Sequence, residues 1–254
     1  MQVKIIEIPF EQVRPDLLAN VASYSEPIDS YYEDHIIESK HYDIFLGKEK
    51  CGFASVFENE MLTQFALHKA HQDKAQEIFQ ETLRISKVKE IYLSTSDVFL
   101  LSLALEHQKE VIVQDAIFQA GVEKECRAGF VLNKAEEKDL SSIQKTDEGF
   151  FPNLEENVKK GELFIGWDGS KTVSYGIIEK SKLFKDLASI GMFVLVPERG
   201  KGYGAETLTG LISQCKNDNV RPIAGCFVKN QYSVNALKKA GMISRNRLLR
   251  IKLG

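Results

Sequence analysis

Cysteine is scarce in this 254-residue chain, which has four: Cys51, Cys126, Cys215 and Cys226. None forms a C-x-x-C pair, and no histidine stands at metal-ligand spacing from any of them. This excludes a disulfide framework and a zinc-finger reading, and no metal is expected. The four read as reduced core residues of a cytoplasmic protein. Long apolar runs are missing too, and none approaches the roughly 20 residues of a membrane helix. The opening "MQVKIIEIPFEQ" lacks the basic start and apolar stretch of a secretory signal. A soluble, intracellular chain without a membrane partner is the expectation. Net charge is also small, at -3, so there is no global electrostatic case for nucleic acid.

The small sum conceals an asymmetry. Residues 1–126 carry 12 Lys+Arg against 22 Asp+Glu, a net of -10. Residues 127–254 carry 21 against 14, a net of +7. Opposite signs suggest two units with different partners, or two units that attract each other. Hydrophobic residues make up 43%, enough for one large domain or two modest ones, each with its own core.

Strand and helix patterns alternate, and their order occurs twice. The first half predicts a strand at 3–10, a helical region to Lys40, a hairpin at 42–59 and a strand at 61–69. An amphipathic helix over 73–86, a strand at 90–95, a helix at 98–107 and a strand at 110–119 follow. The second half predicts a strand at 126–135, helices at 137–144 and 153–160, and a hairpin at 162–180. A strand at 189–196 then leads to a helix at 205–219, with Leu208, Leu211, Ile212 and Cys215 on one face. A strand at 222–228, a helix at 231–241 and a strand at 246–253 end the chain. The match of order without matching residues points to a duplicated fold. The polar "AGVEKE" at 120–125 marks the boundary, giving domains 1–120 and 126–254.

One stretch carries chemistry: "VPERGKGYGAETL" at 196–208. Three glycines follow a strand and open a helix. A helix N-terminus offers unpaired N–H groups and the positive end of its dipole. Glycine removes the side chains that would hold an anion away, so the turn suits a phosphate or pyrophosphate. A P-loop is excluded, because no Ser or Thr follows Lys201. The dinucleotide fingerprint is excluded, because Gly202-x-Gly204 is followed by Thr207 rather than a third glycine.

The run 162–242 resembles the GNAT superfamily of acyl-CoA-dependent N-acyltransferases. "R-G-K-G-Y-G" is similar to its pyrophosphate motif Q/R-x-x-G-x-G/A, and "N-Q-Y-S…A-G-M" to the Asn and closing Gly-hydrophobic pair of its next strand and helix. The resemblance implies an α/β (α+β) fold: two tandem GNAT-like domains, each a mixed, mostly antiparallel sheet flanked by helices. It implies acetyl-CoA as cosubstrate, whose pantetheine enters where the fourth and fifth strands splay. Arg199, Gly200, Lys201, Gly202, Tyr203, Gly204 and Ala205 would bind the pyrophosphate through backbone N–H groups. Phe193 and Val194 would hydrogen-bond the pantetheine and acyl carbonyl by backbone, and Asn230 would contact the pantetheine.

Two departures stand out. Members often carry a Tyr seven residues after the Asn to protonate the leaving thiolate; here that position is Leu237. Ser233 is similar to the serine of an N-x-x-S branch and could serve as the thiol's donor, or could simply cap its helix. Tyr232 is off-pattern. A general base is not evident: Glu179, Glu198 and Asp168 are candidates, as is water, and each carboxylate could equally be a solvated charge.

At the position of the glycine turn the first half has "HKAHQDKAQ" at 68–76, without glycine. Residues 1–120 therefore read as a degenerate GNAT-like domain without a CoA site, and His68 and His71 as solvated loop histidines. The expected function is acetyl transfer from acetyl-CoA to a primary amine of a small molecule or peptide. The acceptor would be framed by 137–160, with Phe150 and Phe151, and by the cleft between domains, where an acidic first half favours a cationic amine. The alternative is a non-catalytic acyl-CoA-binding or scaffold protein.

Overall fold

The structure is a computed structural model that describes residues 2–254. The chain forms two compact units: residues up to Ala116 together with Asn246–Gly254, and Ile117–Arg245. Among the described residues, no helix is long and apolar enough to cross a membrane.

The first unit contains β1 (Val3–Ile8), α1 (Phe10–Ala22), α2 (Ser30–Ile37), β2 (Lys40–Leu46), β3 (Glu49–Phe57) and β4 (Met61–Leu67). It continues through α3 (Ala75–Ser86), β5 (Glu90–Ser94), α4 (Val98–Glu106) and most of β6 (Gln108–Ala120). The chain's last strand, β12 (Met242–Leu253), contributes its end, and the strands run β1-β2-β3-β4-β5-β12-β6. Antiparallel pairing joins β1 to β2, β2 to β3, β3 to β4 and β5 to β12. The exception is β4 with β5: a parallel pair touching only at Met61–Glu90 and Leu62–Ile91. The core gathers Ile44, Val56, Leu62, Phe65, Ile78, Phe79, Ile91 and Leu100 with Ile251 of β12.

That last strand departs from the sequence boundary at 120–125. Leu248–Lys252 pair with Glu90–Ser94 of the first unit. Hydrophobic alternation determines which face of a strand is buried and carries no information about its neighbour, so "NRLLRIKL" reads as a strand without revealing which sheet takes it.

The second unit holds the end of β6, then β7 (Phe130–Lys134), α5 (Leu140–Gln144), α6 (Leu154–Lys160), β8 (Leu163–Asp168) and β9 (Lys171–Lys180). After these come β10 (Leu187–Val194), α7 (Tyr203–Asn217), β11 (Arg221–Phe227) and α8 (Gln231–Lys239). Its strand order is β6-β11-β10-β9-β8-β7. β7, β8, β9 and β10 pair antiparallel in succession, and β10 pairs parallel with β11. Both units thus carry a mixed, mostly antiparallel sheet.

Helix α7 positions the site. Leu208, Leu211 and Cys215 are buried on the stripe its 3.6-residue period predicts. Each leucine contributes about 2 kcal/mol by leaving water. Close approach to β9 depends on Gly176, where a Cβ would stand 3.0 Å from Leu211 and from Thr207. Beneath that contact the Ser174 and Thr207 hydroxyls bond to each other at 2.6 Å. With its base fixed against the sheet, α7 holds its N-terminus at the end of β10.

Candidate functional site

Between β10 and α7 the chain makes one 3₁₀ turn, Val196–Glu198, and then the glycine turn. Gly200 has φ +82° and Gly202 has φ +91°, both in the left-handed region. A Cβ at either would meet nothing within 4 Å, so it is the backbone angle that calls for glycine there. Gly204 serves differently. It lies inside the first turn of α7, where a Cβ would come within 3.3 Å of Met192 and 3.4 Å of Ala236. It allows α7, β10 and α8 to converge.

The donors of this turn can be counted. Arg199 N–H bonds to Val196 O at 3.3 Å, and Ala205 N–H to Gly202 O at 3.0 Å. Between them, the N–H groups of Gly200, Lys201, Gly202, Tyr203 and Gly204 have no acceptor among the described residues. Gly202 is the N-cap and offers no side-chain cap. Five consecutive free donors at the start of a 15-residue helix form an anion-binding cradle. Of the seven residues expected to bind through their N–H groups, the outer two are thus committed within the chain.

Beside the cradle the sheet opens. β10 and β11 pair at Leu187–Arg221, Ala188–Pro222 and Ser189–Ile223, and no further. Leu195 N–H donates to Val173 of β9. Strand alternation therefore turns the amides of Phe193 and Leu195 onto β9, and those of Met192 and Val194 toward the side where β11 has parted. Of the two residues expected to bond there by backbone, Val194 faces the parted side. Phe193 does not present its backbone there, and Met192, two residues before Val194, does. The Val194 carbonyl accepts Arg199 Nε at 3.2 Å.

Across the gap, Asn230 is the N-cap of α8, its side chain accepting Ser233 N–H at 3.2 Å. The cap is therefore Asn230, and Ser233 is the third residue of the helix with its hydroxyl outside that bond. Leu237 is buried among the core residues. Tyr232 is 90% exposed, on the outer face of the helix.

The three carboxylates proposed as bases are all engaged. Asp168 accepts from the Tyr203 hydroxyl at 2.5 Å and pairs with Arg127 at 3.1 Å, while the Arg127 guanidinium lies 4.2 Å over the Tyr203 ring. Glu198 is buried and pairs with both Lys171 and Lys201. Those two ammonium groups hold its carboxyl below the usual carboxylate range, against the opposing effect of burial. Glu179 faces Ser189 in the β9–β10 ladder.

The expected acceptor side is partly core. Phe151 is buried with Tyr175 and Phe193. Phe150 is half-exposed and packs 5.3 Å from the Phe193 ring. Arg199 joins this side to the cradle: its guanidinium meets Glu148 at 2.9 Å and lies over Phe193. Glu148 and Gly149 both have positive φ, which folds the segment back. Sequence order gave no sign of this pairing, since the two residues are 51 apart.

The first unit differs at the turn and at the place where its strands part. Lys69–Lys74 form a 3₁₀ helix in place of a glycine turn. His71 is buried and lies 3.3 Å from Glu49, so it is not the solvated loop residue its polar surroundings suggest. Past the last β4–β5 rung stands Tyr32 of α2, fully buried. Its hydroxyl donates to Thr63 O at 2.7 Å, lies 3.2 Å from Tyr92 O, and accepts from Gln64 at 3.2 Å. Among the described residues, no group of three His, Cys, Asp or Glu side chains is placed to hold a metal ion.

Comparison with known proteins bears on the family and the fold. The family model described as "Acetyltransferase (GNAT) domain" matches residues 10–121, in the half without the glycine turn. No curated protein matches the sequence. Among solved structures, an acetyltransferase of the GNAT family from Colwellia psychrerythraea superposes with a TM-score of 0.85 at 20% identity, covering 100% of both chains. A tandem GNAT protein from the clavulanic acid biosynthesis pathway gives 0.60 at 8%, covering 100% of this chain and 99% of the other. A GCN5-related N-acetyltransferase from Sphaerobacter thermophilus gives 0.60 at 12%, covering 99% and 95%.

Proposed function

We propose that this chain, whose residues 10–121 match a GNAT acetyltransferase domain model and whose full length has the fold of tandem GNAT proteins, is an N-acetyltransferase acting from its second unit. The donor would be acetyl-CoA and the acceptor a primary amine of a small molecule or peptide. The observation that carries this reading is the row of five free N–H groups at 200–204, set beside the parted strands β10 and β11.

The residues present fit such a donor. The cradle would take the pyrophosphate, and the open space above Gly200 and Gly202 leaves it room. Met192 and Val194 present backbone groups on the parted side of β10, where a pantetheine amide and a thioester carbonyl could bond. A strand N–H on that carbonyl stabilises the negative charge that develops as the amine nitrogen attacks. The cradle and the strand edge together hold the donor still, which supplies proximity. Ser233, whose hydroxyl takes no part in the cap of α8, would donate to the sulfur as it leaves. Asp168 and Glu198 are engaged by cations and Glu179 lies in the β9–β10 ladder, so the amine's proton would pass to water. A cationic acceptor accords with the -10 charge of residues 1–126.

The first unit would be a GNAT fold that has lost its donor site. Tyr32 fills the place where its strands part, and its turn is a glycine-free 3₁₀ helix.

One observation favours the alternative, an acyl-CoA-binding protein without catalysis: the usual tyrosine position is a buried leucine, Leu237. The experiment is an amine panel with acetyl-CoA and a thiol-detecting reagent, run beside calorimetry. Amine-dependent thiol release supports transfer. Binding without release on any amine supports the alternative, and absence of binding removes both.

A further inference from the structure

Glu198 is a carboxylate placed where an anion site should tolerate none. Its side chain is 4% exposed, and it sits in the 3₁₀ turn that leads directly into the glycine turn. Lys201, between Gly200 and Gly202, meets one of its oxygens at 3.0 Å. Lys171 meets the other, reaching in from the "DGSK" turn that joins β8 to β9. The three charges sum to +1. An ammonium has three donors. With one directed at Glu198, each lysine keeps two, and their side chains are 63% and 54% exposed. A buried carboxylate is thus turned into a mount for two outward-facing cations from separate elements.

We propose that Lys171, Glu198 and Lys201 form the side-chain part of the phosphate cradle, with Lys171 a phosphate-binding residue and Glu198 the positioning residue that holds both ammonium groups beside the free N–H row. This rests on the reading that residues 200–204 receive the donor's phosphates. A lysine free in solution loses rotamer entropy when it meets a phosphate, and anchoring on Glu198 removes part of that cost before binding. Lys201 alone would then contribute modestly, because Lys171 remains on the same carboxylate when Lys201 is removed.

The sign of the Glu198 effect separates positioning from plain charge. If Glu198 acted only as a nearby negative charge, Glu198→Gln would tighten binding of a polyanion. If it positions the lysines, Glu198→Gln weakens binding although a repulsive charge has gone.

The experiment is calorimetry of the full chain with CoA and with 3′-dephospho-CoA, at low and high salt, with Gly202→Val as the control for the cradle itself. Lys171→Ala is expected to weaken CoA binding about 5- to 10-fold and to flatten its salt dependence, since an exposed charge is screened. Lys171→Arg should keep most of the affinity, and Lys171→Ala with Lys201→Ala should cost about 30-fold or more. Glu198→Gln should raise KM for acetyl-CoA at nearly constant kcat on any responsive amine. If the Lys171→Ala penalty persists with 3′-dephospho-CoA, the lysine meets the pyrophosphate; if it vanishes there, the lysine meets the 3′-phosphate. Either supports the assignment. CoA affinity within twofold of the unaltered chain in Lys171→Ala, or tighter binding in Glu198→Gln, overturns it. If Gly202→Val abolishes binding while Lys171→Ala leaves it intact, this assignment falls and the cradle stands. If the unaltered chain does not bind CoA, both fall.

Discussion

The Tyr32 hydroxyl donates to the Thr63 carbonyl at 2.7 Å and lies 3.2 Å from the Tyr92 carbonyl, so one side chain spans β4 and β5 just beyond their last paired rung. In the second unit β10 and β11 part in the same way after Ser189–Ile223. The same sheet defect exists in both units. In the first it is closed by an aromatic ring with its hydroxyl satisfied.

From this follows a stoichiometry. Calorimetry with acetyl-CoA is expected to find one site per chain. Tyr32→Phe should leave that number unchanged and cost about 1–3 kcal/mol of stability, because it strands a buried carbonyl. Two equivalent sites in the unaltered chain would refute the assignment of Tyr32 as a plug.

The glycines of the turn should divide into two classes. Gly202 needs its backbone angle, and a non-glycine residue there costs about 1–2 kcal/mol and pulls the turn toward another shape. Gly202→Val should abolish CoA binding with a small change in melting temperature. Gly204 is confined by Met192 and Ala236, so Gly204→Val should lose binding and also melt clearly lower. Equal melting temperatures for the two variants would show that the confinement of Gly204 yields easily.

Much of this was legible because local chemistry wrote it. The glycine turn, the stripe on α7 and the order of elements all follow from spacing in the chain. Three things were not. Strand alternation is a matter of parity, so the substitution of Met192 for Phe193 on the open edge waits for the observed register with β9. The Lys171–Glu198 and Arg199–Glu148 pairs join residues 27 and 51 positions apart, with no periodicity to announce them. The exchange of β12 into the first unit is a choice of neighbour, on which hydrophobic pattern is silent.

Asp29 makes the first unit sensitive to pH. It is buried, and its carboxyl is pushed up to about 6, chiefly by burial, with Asp115 and Glu33 adding repulsion and the Tyr32 amide opposing. A carboxyl that is harder to ionise in the folded chain than in the unfolded one stabilises the fold when protonated. Its contribution is greatest below about pH 4 and is lost as pH rises through 6. The full loss is about 3 kcal/mol by linkage. Asn at this position still accepts the Tyr32 N–H as an N-cap, without the charge. Asp29→Asn should therefore melt higher than the unaltered chain at pH 8, and the gap should narrow toward pH 4. A variant less stable at pH 8 would mean that the carboxylate is better served in its pocket than its burial implies.

Ser233 offers the sharpest test of chemistry, because the structure separates it from the helix cap. Asn230 caps α8 by accepting the Ser233 N–H, a bond the backbone makes whatever the side chain at 233. Asn230→Ala should cost about 1 kcal/mol of stability through that bond alone. Ser233→Ala leaves the cap intact and should leave the melting temperature nearly unchanged. If the hydroxyl donates to the departing sulfur, its bond strengthens as charge grows there, so its loss appears in kcat and spares CoA affinity. A general acid is worth about 10²–10⁴-fold; a weaker hydrogen bond would cost less. The measurement is steady-state kinetics on a responsive amine, with melts and calorimetry in parallel. Unchanged kcat in Ser233→Ala would leave the thiolate to be protonated by solvent. Leu237→Tyr would not readily restore the missing donor, since Leu237 is buried and the larger ring must displace core neighbours. A drop in melting temperature without any gain in kcat is the expected result for that variant.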